Sequence, residues 1–257
     1  MITIKKLSLN KNKKTVLNNI SFTLNSGEIL GITGPAGCGK SLLLKAIAGK
    51  IKTSDVTFGL NEKNFSEFGR KEQCRHISSL LFPCEYNPEA TVFEETIKGR
   101  IHLKKFLNPY SETDMESTLS ILDETGLSGK LSSRLKKCSD SIIRLTLIAR
   151  TINSESENSI FDSPDCGLDP LQKLTVIRAI KKYTAGGDKS VLLASSDLNF
   201  LVKVCDKIIV LKDAVIHESG GSEIITEDLM KNVFGIDVMI TKNIITGFPE
   251  IHIINNE

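Results

Sequence analysis

Residues 34–41 read Gly34-Pro35-Ala36-Gly37-Cys38-Gly39-Lys40-Ser41, the pattern G-x-x-x-x-G-K-[ST]. Nothing else in the chain constrains the fold as strongly, because this pattern works only between a strand and a helix. Both flanks are present. Glu28 to Thr33 reads as a short buried strand. Lys40 to Gly49 reads as a helix, with Leu42, Leu43, Ala46 and Ile47 on one stripe and Gly49 as its stop. Glycines at 34, 37 and 39 let backbone N–H groups converge on a phosphate without side-chain obstruction. The helix start adds the positive end of its dipole. Lys40 is placed to reach terminal phosphates, and the Ser41 hydroxyl to sit on Mg²⁺.

A second element should supply a carboxylate for the metal shell. Ser159-Ile160-Phe161-Asp162 is a short apolar strand ending in an acid, which is the expected form. Asp162 is therefore the second candidate Mg²⁺ ligand.

The 257 residues allow one large domain or one domain carrying a subdomain. Residues 1–9, 19–24 and 77–82 read as further strands, and Asn25-Ser26-Gly27 as a turn. From about 85 to 152 strand signals vanish, which predicts a helical subdomain. Within it, Glu112 to Thr125 places Met115, Leu119 and Leu122 on one apolar stripe, with Ser111 as N-cap and Gly126 as stop. Strand patterns return at 159–161, 190–194 and 207–211, with helices at 171–183 and 198–204 between them. Such alternation predicts an α/β chain, with a mostly parallel sheet and helices on both faces. Residues 222–257 read as a small appendix, a helix at 228–232 followed by a strand at 237–241.

Composition excludes several classes. A net charge of +2 gives no reason to expect nucleic acid. The lysine groups at 5–6, 11–14, 136–137 and 181–182 read as solvated faces balanced by 31 acids. The six cysteines form no C-x-x-C and no cluster with the four histidines, which argues against a zinc site and for free thiols in a reducing compartment. No apolar run reaches the roughly 18 residues of a membrane span. The start lacks a signal-peptide stretch, so the expected location is cytoplasmic.

In this order the motifs resemble the ATP-binding subunits of ABC transporters over essentially the whole chain. The strong matches are GPAGCGKS at 34–41 and SIFDSPDCGLDP at 159–170. LTLIARTI at 145–152 and the run from Ser195 to Gly220 match less closely. TVFEETIKGR at 91–100 and the ending FGIDVMITKNIITGFPEI look like the subgroup that imports iron-siderophores, haem or cobalamin. The resemblance implies a P-loop NTPase fold of the ABC type, with an antiparallel β subdomain and an α-helical subdomain. It implies ATP and Mg²⁺ as cofactors, and a homodimer or heterodimer of ATP-binding subunits closing head to tail around two nucleotides. It also implies an integral membrane permease as partner, with this subunit peripheral at the inner face of the membrane.

Several positions depart from the family's pattern. Where the family places a Glu that orients the attacking water, this chain has Ser163. Its switch His aligns with Ser196. Its Leu-Ser-Gly-Gly-Gln signature aligns with Cys138-Ser139-Asp140-Ser141-Ile142, so both glycines are lost and Asp140 adds a negative charge. Its linker Gln aligns with Cys84, and its adenine-stacking aromatic with Lys11. Leu168 and Asp169 match the dimer-contact loop, although a Pro-terminated turn before Pro170 would also explain them. The groups for phosphate and Mg²⁺ are kept while those acting on water or sensing the γ-phosphate are changed. The expectation is a subunit that binds Mg–nucleotide and hydrolyses it slowly or not at all. Asp165 is a candidate substitute base. A catalytically weak regulatory or scaffold protein on the same fold is the alternative.

Overall fold

The computed structural model describes residues 1–11, 14–53, 55–58, 63–104 and 109–254. β1 (Ile2–Lys11) and β2 (Lys14–Leu24) form an antiparallel pair, and β1 also pairs with β4 (Val56–Phe58). With β5 (Lys63–Asn64) they make a four-stranded antiparallel sheet in the order β2-β1-β4-β5. Lys11, aligned with the adenine-stacking position, ends β1, and its side chain lies outside the described residues.

The second sheet has six strands. Its members are β3 (Ile29–Thr33), β6 (Ile77–Leu80), β7 (Asn158–Asp162), β8 (Ser190–Ala194), β9 (Lys207–Lys212) and β10 (Val215–Gly220), in the order β10-β9-β3-β8-β7-β6. All neighbours are parallel except β10, which returns antiparallel along β9. Every residue of β3, β7 and β8 is buried. Strands covered on both faces read as continuous apolar runs, and EILGIT and SIFD are such runs.

Period-two alternation sends successive side chains to two separate cores. Leu30, Ile32, Ile160, Leu192 and Ala194 pack with Leu43, Leu44 and Ile47 of α1 (Lys40–Ile47) and with Ile2, Ile4 and Leu17 of the antiparallel sheet. Ile29, Phe161, Val191 and Leu193 face the other way. They pack with α5 (Asp140–Ile152), α6 (Pro170–Thr184) and α7 (Leu198–Val204), which lie beyond α2 (Arg70–His76), α3 (Val92–Ile97) and α4 (Glu112–Glu124) in the chain. α8 (Glu227–Leu229) runs into a π turn at Met230–Phe234, and a hairpin of β11 (Val238–Lys242) and β12 (Pro249–Ile253) follows. No helix among the described residues is long and apolar enough to cross a membrane.

One local expectation is corrected. Ser111 does cap α4, accepting from Asp114 N, yet Met115 and Leu119 are exposed and only Leu122 of the expected stripe is buried. The inward face carries Asp114, Thr118 and Ile121 instead. The cause is Arg100, whose side chain is 6% exposed and donates to Asp114 Oδ1 at 2.6 Å and to Glu155 Oε1 at 2.7 Å. Thr118 and Asn153 extend this network, with Asn153 Nδ2 donating to Thr118 Oγ1 at 2.9 Å. A buried charge must be paired, so α4 turns its polar residues toward the guanidinium.

Candidate functional site

The chain leaves β3 at Thr33 and turns through Gly34, whose φ is +142°. A Cβ here would overlap the carbonyl oxygen of Leu211 at the end of β9. Only glycine lets the loop start this close to the neighbouring strand. Gly37 and Gly39 also have positive φ, +78° and +105°. Gly39 lies against Leu17 and Val16 of β2, so the antiparallel sheet braces the loop from outside. Pro35 and Cys38 close a turn, Cys38 N donating to Pro35 O at 3.3 Å. Ala36 and Gly37 are exposed.

Gly39 is also the N-cap of α1, and no side chain caps the helix. The first helical bond runs from Leu43 N to Gly39 O at 2.9 Å. The N–H groups of Lys40, Ser41 and Leu42 precede it and so lack an intrahelical acceptor. Lys40 folds back over the loop, its Nζ donating to Gly34 O at 2.6 Å and Pro35 O at 3.0 Å. Uncapped helical donors, a left-handed glycine turn and an ammonium held inside it suit a phosphate group chemically.

Asp162 ends β7 two strands away, and register brings it level with this loop. Ala194 of β8 pairs with Ile32 on one side and with Asp162 on the other. At about 4.8 Å per strand, β7 lies roughly 10 Å from β3. Asp162 shares a face with Ile160, the face that α1 covers, so its carboxylate belongs to the same side of the sheet as Ser41. It is buried, and Ser163 Oγ stands 3.4 Å from its Oδ1. A carboxylate and a hydroxyl on one face suit a hard cation such as Mg²⁺.

Ser163 sits in left-handed backbone at φ +51°. Two bonds hold it there: its N–H donates to Ala194 O at 2.8 Å, and its carbonyl accepts from Arg144 Nη1 at 2.9 Å. Arg144 comes from α5, and its guanidinium stacks 4.3 Å over the Phe82 ring. Arg144 is not singled out by the sequence, because it is one of two cations, with Arg150, in the same largely apolar helix. Ser196 is exposed between β8 and α7. Its neighbour Asp197 caps α7 and pairs with Lys173 at 2.7 Å.

Asp165 is buried, with Oδ1 lacking a hydrogen-bond partner. Burial pushes its pKa above the ordinary carboxylate value, with Ser195 opposing and the charge of Asp197 adding to the shift. Leu168 packs into the core beside α6, while Asp169 caps that helix, accepting from Gln172 N at 2.8 Å with Pro170 next in line. Both therefore have structural work within the chain.

The signature-like segment lies elsewhere. Ser139 caps α5, its Oγ 3.0 Å from Ser141 Oγ and 3.5 Å from Ile142 N. Asp140 occupies the first turn. Cys138 and Ile142 pack on the α5–α7 core, whereas Cys38 of the phosphate loop packs on the α1 core. The fold thus sets the two segments on opposite faces of the six-stranded sheet. Cys84 is engaged by Arg150 of α5, whose Nη2 donates to its Sγ at 3.1 Å. Arg150 also pairs with Glu95, a fully buried carboxylate.

Comparison with known proteins places these features in a wider set. A family model described as ABC transporter matches residues 17–165. An ABC transporter ATP-binding protein of Methanocaldococcus jannaschii is 29% identical over 237 residues, covering 92% of this chain and 91% of that protein. A hemin import ATP-binding protein of Pseudomonas aeruginosa is 26% identical, covering 97% and 98%. Among solved structures, an inward-facing ABC transporter described as metal-chelate type superimposes with a TM-score of 0.79 at 19% identity, over 99% of this chain and 97% of that one. A dimeric ATP-binding cassette bound to ADP and Pi gives a TM-score of 0.74 at 21% identity, over 86% and 98%.

Proposed function

Since the chain belongs to the ABC transporter family, with that family's ATPase fold, we propose that it is the ATP-binding subunit of a metal-chelate importer of the siderophore, haem or cobalamin type. The observation that carries this reading is the Gly34–Ser41 loop, with its uncapped helical donors, set level with Asp162 on one face of the sheet. Gly34, Pro35, Ala36, Gly37, Cys38, Gly39 and Lys40 cradle the phosphates of ATP, while Ser41 and Asp162 hold Mg²⁺. The metal, when bound, neutralises charge on the β- and γ-phosphates. Similarity to a hemin import protein supports the substrate class.

The partner surfaces follow from the same reading. The phosphate loop and the α5 N-terminus lie on opposite faces, which favours a site completed by a second subunit. Ser139, Asp140 and Ser141 present the signature-like end, and Leu168 and Asp169 lie at the contact between subunits, in a homodimer or a heterodimer. Residues 85–152 form the helical subdomain that docks on an integral membrane permease, and 222–257 a C-terminal appendix. The subunit is peripheral at the cytoplasmic face.

Hydrolysis is weak. Ser163 offers no carboxylate to the attacking water, a loss worth about 10²–10⁴ in rate. Ser196 carries no positive charge, and Asp140 at the first turn of α5 repels a γ-phosphate. These three positions also favour a second reading, a regulatory or scaffold protein whose nucleotide-bound form closes without cycling.

The test measures nucleotide binding and turnover side by side, with and without Mg²⁺. We expect ATP to bind, turnover to stay near background, Lys40→Ala to abolish binding and Ser163→Glu to raise turnover. Sustained turnover by the unmutated chain would refute the weak-hydrolysis claim. Failure to bind ATP at all would refute the nucleotide reading.

A further inference from the structure

Asp162 is buried, and among the described residues the group that donates to its carboxylate is the Ser163 hydroxyl, 3.4 Å from Oδ1. The direction of that hydroxyl depends on the backbone of its own residue, which stands at φ +51°. Left-handed backbone is unfavourable for a residue that carries a Cβ. Residue 163 also precedes Pro164, a place where extended backbone is favoured. Ser163 must therefore be held in this conformation by its surroundings.

The bond from Ser163 N to Ala194 O carries the β7–β8 ladder one residue past Asp162. The Ser163 carbonyl also accepts from Cys166 N at 3.2 Å, inside the turn that follows. Those two contacts belong to the sheet and to the turn itself. The bond from Arg144 Nη1 is different, because it reaches residue 163 from a helix on the other side of the core.

Arg144 has a nearer partner that it does not take. Asp140 lies four residues before it on α5, the spacing at which a carboxylate and a guanidinium pair along a helix. Among the described residues Arg144 makes no ion pair. Its guanidinium reaches away from the helix, over the Phe82 ring and onto the Ser163 carbonyl. Phe82 packs against the α5–α7 core, so the ring is a fixed platform. A planar guanidinium stacked on a ring has its N–H directions set in advance. A partly buried cation without a carboxylate is unfavourable, so its placement on this one oxygen points to a task at residue 163.

We propose that Arg144 is a positioning residue for Mg²⁺. Through the Ser163 carbonyl it sets the backbone of residue 163, and through that backbone the hydroxyl that orients Asp162. The proposal rests on the nucleotide reading above. It goes beyond that reading by giving part of the metal's affinity to a side chain outside the phosphate loop and outside the ligand pair Ser41 and Asp162. Outer-shell partners of metal ligands act in this way. Charge alone has the opposite sign. A cation near a metal site repels the metal, so removing Arg144 would tighten Mg²⁺ if charge were its whole effect. Removal loosens Mg²⁺ if Arg144 acts by position.

The test titrates the full chain with the β,γ-imido analogue of ATP by calorimetry, once in EDTA and once in excess Mg²⁺. The gain in affinity on adding Mg²⁺ is the readout. A loosened fold would lower both affinities together, and the melting temperature checks for it. Arg144→Gln should cut the gain by about tenfold while leaving the affinity in EDTA unchanged. Glycine adopts left-handed backbone without help. In a Ser163→Gly background Arg144→Gln should therefore change the gain by less than about twofold. Arg144→Lys keeps a donor and the charge but not the planar stack, so it should lose a smaller part of the gain. It stands in where the glutamine variant fails to fold. A gain unchanged or enlarged in both variants of residue 144 overturns the proposal while nucleotide binding stands. A loss of equal size in the Ser163→Gly background also overturns it, because Arg144 would then act by another route. No gain from Mg²⁺ in the unmutated chain overturns it together with the metal part of the nucleotide reading, and no binding of the analogue at all overturns both.

Discussion

Gly34 and Gly37 belong to one loop, both have positive φ, and the structure assigns them different costs on replacement by alanine. At Gly37 a Cβ meets open space, so only the left-handed backbone is penalised. That costs about 1–2 kcal/mol, offset by about 0.4–1 kcal/mol from a stiffer unfolded chain. A net loss of about 1 kcal/mol is expected. At Gly34 the backbone, at φ +142°, lies where L residues are strained, at about 1–3 kcal/mol. The added carbon also overlaps a backbone oxygen, that of Leu211, which no rotamer change relieves. Overpacking of this kind adds about 1–3 kcal/mol. The expected total is about 4 kcal/mol. In a chain of this size the difference corresponds to a gap of roughly 9 °C in melting temperature between the two variants. Thermal unfolding followed by circular dichroism measures it directly. Equal melting temperatures for the two alanine variants would show that the contact between Gly34 and β9 does not shape the loop, and the argument from close approach would fail.

Two further predictions concern buried charge. Arg100→Ala strands Asp114 and should destabilise the chain by about 3–5 kcal/mol in urea unfolding. In the unmutated chain burial raises the Asp114 pKa, but hydrogen bonds from Arg100 and Ser111 outweigh it and hold the carboxyl below its ordinary value. A depressed folded pKa means that this stability is present above the unfolded value, about pH 4, and is lost as pH falls through the folded one. If Arg100→Ala unfolds at the same urea concentration as the unmutated chain, the pairing carries no weight. Asp165 has the opposite sign. Its raised folded pKa means that ionisation opposes folding above that value, so stability improves as pH falls toward the unfolded value, about 4. Asp165→Asn should therefore raise stability at pH 7 by about 1–3 kcal/mol, with the gain shrinking at pH 4. A loss of stability at pH 7 would contradict the reading.

The phosphate loop and Asp162 could be read from sequence because their signals are local. Glycine spacing reports backbone conformation, and an acid closing an apolar run reports the end of a buried strand. Ser111 as a cap is legible for the same reason. The inward face of α4 was not legible. Its partner Arg100 lies 14 residues from Asp114, and Glu155 a further 41 beyond, so a sequence shows the charges without showing that they meet. Met115 and Leu119 then look like the obvious inner stripe. Arg144 escaped because its acceptor is a main-chain carbonyl, which has no residue type to search for.

The Arg144 bond to residue 163 has a mechanical consequence. α5 is a stiff rod, and this arginine fastens it at once to the tip of β7 and, through the Phe82 ring, to the segment leaving β6. Arg144 lies about one turn from Asp140, so it is the start of the helix that is tied to the carbonyl of Ser163, one residue from Asp162.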